Sequence, residues 1–183
     1  VLKGNLAPGS AIIKQSAASK DLLVHEGVVE VFENLEDLAN RIDSDDLNVT
    51  KDSVLLLKNI GPIGAPGMPE AGLIPIPKKL AKQGVKDMVR ISDGRMSGTA
   101  AGTIILHVCP EAAAGGTLDI VESGDVIKLD VKKRLLELKL SDKEIDSRKK
   151  SKKSNKEIKR RGYDKIFHES VLQADEGADF DFL

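Results

Sequence analysis

Tryptophan is missing from this sequence, and four Phe and one Tyr bring the aromatics to only 3% of 183 residues. A core built from it must be aliphatic. The single Cys excludes an internal disulfide, and alone it cannot hold zinc or an iron–sulfur cluster. No apolar run approaches the ~20 residues that span a bilayer, and nothing at the N-terminus reads as a signal peptide. Neither sign of charge dominates. With 28 Lys+Arg against 29 Asp+Glu the formal net charge is −1, which excludes a whole-protein field steering nucleic acid or an anionic membrane. An initiator Met is also absent, so the chain, which begins at Val1, reads as a piece of something longer. The expected compartment is the cytoplasm, with the mitochondrion left open.

What is present is ordinary globular material, 40% apolar, punctuated by Gly and Pro. Ala11-Ile12-Ile13 and Val28–Phe32 read as strands. Asn34 can cap a helix whose apolar positions are Leu35, Leu38 and Ile42. Val54–Leu57 is a continuous apolar run, expected to be buried on both faces. Pro77–Lys82 suits a helix start. Met88–Ile91 and Thr103–Val108 are β-rich, and Asp125–Val131 with Arg134–Leu140 read as a hairpin about Lys132-Lys133. Ser141-Asp142-Lys143-Glu144 fits a capping box, and Tyr163–Ala174 a last helix with Ile166, Val171 and Leu172 as its apolar side. Many short strands and few helices predict an α/β, β-rich barrel with peripheral helices.

Charge divides the chain. Residues 1–147 hold 18 basic and 22 acidic side chains, whereas 148–183 hold 10 and 7. The second segment opens with nine basic residues between Arg148 and Arg161. The expected division is a barrel domain over 1–147, then a basic linker and C-terminal helix and tail over 148–183. The run lacks the interleaved aromatics of a nucleic-acid patch.

Two loops after strands stand out. Residues 59–72 contain four Gly and three Pro in fourteen positions. Such a loop is stiff yet bare, suited to bringing backbone against a ligand. Its one ionisable group, Glu70, is by spacing alone either a solvated carboxylate or a ligand for a hard cation such as Mg²⁺. Residues 92–103 are rich in glycine and hydroxyls. They suit a tight structural turn or an anion nest, with Ser97 and Thr99 as donors and Arg95 pairing either with an anion or with Asp93. An unassisted serine is a poor nucleophile or base, and no Ser–His–Asp pattern is visible. His107 reads as a core or edge residue of its strand, His25 and His168 as surface residues, and Cys109 as a small buried hydrophobe.

Together these strings resemble the C-terminal part of the dihydroxy-acid dehydratase / phosphogluconate dehydratase family. The matching stretches are Leu2–Pro8, Gly27–Phe32, Gly61-Pro62 with Gly67-Met68-Pro69-Glu70, Val85–Gly98, His107–Ala112, Gly115-Gly116 and Gly124-Asp125. The ending Gln173–Leu183, Pro69-Glu70 and the string Ile74–Leu80 are similar to the branch acting on sugar acids (arabinonate, xylonate or galactonate). The basic run departs from the Pro-rich connector expected there.

The resemblance implies a smaller, swivelling β/α barrel that closes over a large N-terminal domain of the same protein. That domain would supply three Cys for an iron–sulfur cluster and most ligands of a nearby Mg²⁺. Residue by residue, Glu70 matches the Mg²⁺ ligand from this domain, Ser97 the catalytic base, and Thr99 a substrate-contacting hydroxyl. The implied activity is that of a hydro-lyase converting a 2,3-dihydroxy carboxylate, an aldonate, to a 2-oxo-3-deoxy acid. The alternatives are a domain acting on 2,3-dihydroxyisovalerate in branched-chain amino-acid synthesis, and a non-catalytic binding module. The implied partners are the small-molecule substrate and the N-terminal domain, with a homo-oligomer for the full-length protein and no nucleic acid or membrane. The chain alone is expected to be inactive.

Overall fold

The computed structural model describes residues 1–152 and 160–183. Its strands are β1 (Ser10–Ile13), β2 (Val24–Phe32), β3 (Val54–Leu57), β4 (Arg90–Ser92), β5 (Ile104–Cys109), β6 (Val126–Asp130) and β7 (Leu135–Leu138). Its helices are α1 (Leu35–Arg41), α2 (Lys78–Lys82), α3 (Asp142–Lys152) and α4 (Gly162–Ser170), joined by short 3₁₀ turns.

The seven strands form one curled sheet in the order β1-β5-β4-β3-β2-β6-β7. Its middle, β5-β4-β3-β2, is parallel, and β1, β6 and β7 add on antiparallel. Residues 2 and 3 span the gap between the two edges. Leu2 pairs with Ala11 of β1, and Lys3 pairs with Leu135 of β7. This gives both edge strands a hydrogen-bonding neighbour, which blunts their tendency to pair with other chains.

The all-apolar β3 shows why period-2 alternation is lost in a central parallel strand. Val54 and Leu56 face the interior of the curl with Leu2, Val29, Ile91 and Ile127. Leu55 and Leu57 face outward, beneath Leu38 and Ile42 at α1 and Leu80 of α2. All four are fully buried, each side chain contributing about 1.5–3 kcal/mol by removal from water. The expected α/β, β-rich architecture with peripheral helices is thus present, as a curled sheet with α1 and α2 on its outer face and Ile145 of α3 packed into the inner cluster.

Local signals account for most boundaries. The Asn34 side chain accepts from the Asp37 amide at 2.9 Å and opens α1. The Ser141 hydroxyl accepts from the Glu144 amide at 3.2 Å and opens α3. The β6–β7 turn lies at Lys132-Lys133, with Arg134 at a φ of +55° closing it. Three expectations need correction. Leu35 is exposed rather than part of the buried face of α1. The last helix ends at Ser170, because Val171 turns extended and pairs with Phe180. Its covered side is Phe167 and His168, whereas Ile166 is exposed.

α3 runs across residue 147, where the barrel was expected to end. Arg148 lies inside it, and its guanidinium is held by both carboxylate oxygens of Asp125 at 2.7 and 3.1 Å. The later part of the basic run, 153–159, lies outside the described residues. Among the described residues no helix is long and apolar enough to cross a membrane.

Candidate active site at the carboxyl ends of the parallel strands

Four parallel neighbours direct their carboxyl ends to one rim, where ligands of open α/β sheets characteristically bind. The loop after β3 is residues 58–77, and the loop after β4 is residues 93–103. Their roots are packed with buried charge. Asp93, fully buried, accepts from the amides of Asn59 (3.1 Å), Ile60 (3.0 Å) and Ala112 (3.0 Å). Burial pushes its carboxyl up to about 6, against the three amide donors, and the like charge of Glu111 adds to the rise. Glu111, 1% exposed, follows β5 and accepts from the Ile63 and Gly64 amides at 2.9 Å each. Gln173 clasps it from the C-terminal segment, donating to its carboxylate and accepting from its amide, both at 2.8 Å.

Lys58 is also 1% exposed. It donates to Glu33 after β2 and to the carbonyls of Asp119 and Val121. Burial lowers its pKa, opposed by the Glu33 carboxylate. The backbone donors of the Gly/Pro-rich loop therefore answer the protein's own carboxylates. The expectation that this loop offers bare backbone to a ligand is corrected at residues 59, 60, 63 and 64.

The tips of the same loops meet solvent. Glu70 and Arg95 form an ion pair at 3.1 Å, their side chains 49% and 45% exposed. Arg95 also donates through Nε to the Met68 carbonyl at 2.6 Å, and its own carbonyl accepts from the Gly72 amide at 2.7 Å. Gly72 is required there, since a Cβ would lie 2.4 Å from Leu106 and 2.8 Å from the Arg95 carbonyl. Arg95 thus pairs with Glu70 rather than with Asp93. Two residues further on, Ser97 Oγ lies 3.0 Å from the Thr99 hydroxyl. Arg95 therefore ties the loop carrying Ser97 and Thr99 to the loop carrying Glu70.

A cleft of about 240 Å³ separates Pro62, Met68 and Arg95 from Phe167, Val171 and Ala178 of the C-terminal segment. His107, on β5, is half-buried at a φ of +52°. Burial and the nearby Arg95 lower its pKa. Cys109 is buried and its thiol is pushed up to about 12, so it offers no thiolate. His25 donates through Nε2 to the Asp52 carbonyl. The His168 side chain, expected on the surface, is only 9% exposed and lies 3.4 Å from Asp164.

This donor set bears on the implied cofactors. Among the described residues no group of three or more His, Cys, Asp or Glu side chains could hold a metal ion. A lone exposed carboxylate fits one ligand position of a hard cation completed from elsewhere. A cluster needs thiolates that this chain does not have.

The tips of these two loops thus present one half-exposed carboxylate and two hydroxyls, fewer donors than a metal or cluster centre needs. The model of the dihydroxy-acid/6-phosphogluconate dehydratase C-terminal domain matches residues 1–178, and the chain belongs to this family. L-arabinonate dehydratase of Rhizobium leguminosarum bv. trifolii (strain WSM2304) is 49% identical over 183 residues, 100% of this chain and 32% of that protein. The 6-deoxy-6-sulfo-D-gluconate dehydratase of Pseudomonas putida is 48% identical over the same shares. Dihydroxy-acid dehydratase of Archaeoglobus fulgidus is 42% identical over 179 residues, 97% of this chain and 32% of that protein. The chain spans about a third of the length of the curated relatives it matches.

Sequence reading singled out Glu70, Ser97, Thr99 and Arg95. It missed Asp93, Glu111 and Lys58 as the buried charges at the roots of these loops. Their partners lie between 19 and 63 residues away, so spacing alone gave no signal.

Proposed function

We propose that this chain is the C-terminal domain of a hydro-lyase that dehydrates a sugar acid, an aldonate, to a 2-oxo-3-deoxy acid. An N-terminal domain of the same protein would hold an iron–sulfur cluster and most ligands of a Mg²⁺ ion. The observation that carries this reading is the bracing of Glu70 and Ser97 on adjacent loops through Arg95.

In this reading Glu70, now paired with Arg95, would supply one carboxylate oxygen to a Mg²⁺ ion held mainly by the N-terminal domain. Ser97 Oγ takes the proton from C2 of the substrate, and the hydroxyl of Thr99 beside it holds a substrate oxygen. The C2–H electron pair becomes the C2=C3 bond as the C3–O bond breaks, and Ser97 Oγ hands the proton it took to the departing 3-hydroxyl, which leaves as water. The enol then tautomerises to the 2-oxo acid. An isolated serine hydroxyl is a weak base. The cofactors, when bound, would supply the positive charge that lowers its pKa and the Lewis acidity that loosens the 3-hydroxyl.

The aldonate assignment is supported by relatives named for sugar-acid substrates, 48–49% identical over the whole chain. The 42% identity to a dihydroxy-acid dehydratase supports the second reading, 2,3-dihydroxyisovalerate. The test uses the complete protein, purified without oxygen and offered aldonates, a 6-deoxy-6-sulfoaldonate and 2,3-dihydroxyisovalerate, with 2-oxo acid formation followed. Turnover of an aldonate or its sulfonate is expected. Turnover of dihydroxyisovalerate alone would move the protein to the second reading, and inertness of the cluster-loaded protein toward all of them would leave a binding module.

A further inference from the structure

We propose that Asp93 is a positioning residue for this reaction, whose carboxylate sets the Glu70 loop and the Ser97 loop at a fixed relation. The proposal rests on the hydro-lyase reading for its activity arm. Its geometric basis does not. Asp93 is the first residue after β4, at the root of the loop that carries Ser97. Its two oxygens accept from Asn59 and Ile60, at the root of the loop that carries Glu70, and from Ala112, beyond β5. One fully buried side chain thus pins three strand-end loops by their backbones.

The carboxylate form suits this role because it is acceptor-only and all three partners are donors. A protonated or amide side chain brings a donor of its own into the same space. The charged groups nearby offer no cation to stabilise the buried charge. Glu111 faces it with like charge. Lys58, from the β3 end, is committed to Glu33, and Arg95, on its own loop, to Glu70. The carboxyl consequently takes up a proton near pH 6, within the range where an enzyme can be assayed.

Two effects then move in opposite directions. Protonation removes the unfavourable buried charge, so acid favours the folded state at this residue. The same protonation places an O–H among three N–H donors and loosens the loop roots. A purely structural group would lower activity only where it lowers stability.

The experiment uses the full-length, cluster-loaded protein and its Asp93→Asn variant. kcat and KM are measured from about pH 5 to pH 8, alongside amide hydrogen-exchange protection of the segments holding Asn59–Ile60 and Ala112 in the wild type. The wild-type kcat is expected to fall below about pH 6 with KM little changed, and protection of both segments to fall over the same range while β3 stays protected. In Asp93→Asn, kcat at neutral pH is expected to be lower by about 10²-fold, the cost of roughly 1 Å of misplacement, with the acid limb flattened. A variant within twofold of wild type, an unchanged acid limb, or protection constant across the range would overturn the proposal. Should the variant not fold, wild-type exchange decides alone. Should the wild type turn over no acid, the hydro-lyase reading fails, and the exchange data still decide whether Asp93 clamps the loops.

Discussion

The roots and the tips of the same two loops use polar side chains in opposite ways. At the roots, Lys58, Asp93 and Glu111 are at most 1% exposed, and each is fully committed to backbone groups or a carboxylate. At the tips, Glu70 and Arg95 are about half exposed, and Ser97 and Thr99 have chiefly each other. Buried charge in low dielectric tolerates one arrangement only, whereas exposed charge exchanges partners at little cost. The difference teaches how a rim of loops can be rigid in position and free in chemistry. Substitutions at the tips should change reaction or binding, and substitutions at the roots should change geometry and stability.

The largest effect expected is at a tip. Ser97→Ala in the full-length protein should lower turnover by about 10²–10⁴-fold, the usual worth of a positioned base, or about 3–5 kcal/mol of barrier. Its unfolding midpoint should match wild type, because the lost contact is one solvent-accessible hydroxyl pair. A midpoint that falls with the activity would erase the distinction between tip and root.

The next effect is at a root and is read through pH. Asp93 has its carboxyl raised from 3.8 to about 6 in the folded chain. Between those values the native state binds more protons than the unfolded one, so this group's contribution to stability falls as pH rises from about 4 to about 6. The difference corresponds to about 3 kcal/mol at most. Chemical denaturation at several pH values, with Asp93→Asn as the reference lacking the titration, measures it. A stability difference between the two proteins that does not vary over this range would show that the carboxyl is not desolvated as the geometry requires.

Lys58 gives a smaller effect. Lys58→Met keeps the aliphatic stem and deletes the ammonium, leaving the Val121 carbonyl without its donor and the Asp119 carbonyl with Lys152 alone. Glu33 is half exposed and rehydrates, so no buried charge is stranded. A loss of about 2 kcal/mol in unfolding free energy is expected, read from the denaturant midpoint. A stability unchanged or raised would mean that desolvation of the ammonium outweighs its three bonds.

How much of this was legible beforehand follows the same division. Strands, caps and the β6–β7 turn were readable because their causes are local: alternation in β2, Asn34 three residues before its partner Asp37, Lys132-Lys133 between two apolar runs. Glu70, Ser97 and Thr99 stand out through the strings that carry the family resemblance, and their roles are those proposed. The root network was not, because Asp93 finds Asn59 and Ala112 only once β3, β4 and β5 lie side by side. Ile166 and Leu35 were misplaced for a related reason. Helical periodicity names an apolar face, but the packing partner decides which part of it is covered, and in α4 that partner takes Phe167 and His168 instead.

The smallest effect on stability is expected where the functional proposal places a metal ligand, and that combination sharpens the comparison most. The Glu70–Arg95 pair is about half exposed on both sides, so its strength is bounded by solvent screening at about 1 kcal/mol and falls with added salt. Glu70→Gln should therefore leave the unfolding midpoint of the chain nearly unmoved. In the full-length protein the same substitution should raise the Mg²⁺ concentration needed for half-maximal turnover, because an amide oxygen replaces an anionic one. Arg95→Lys serves as the control, since it keeps a cation for Glu70 but loses the planar fork that also reaches the Met68 carbonyl. It should lower turnover without changing the Mg²⁺ requirement. If Glu70→Gln instead lowers the midpoint by several kcal/mol and leaves the Mg²⁺ requirement alone, Glu70 belongs with the root residues, and the ion pair is a brace rather than a ligand held in waiting.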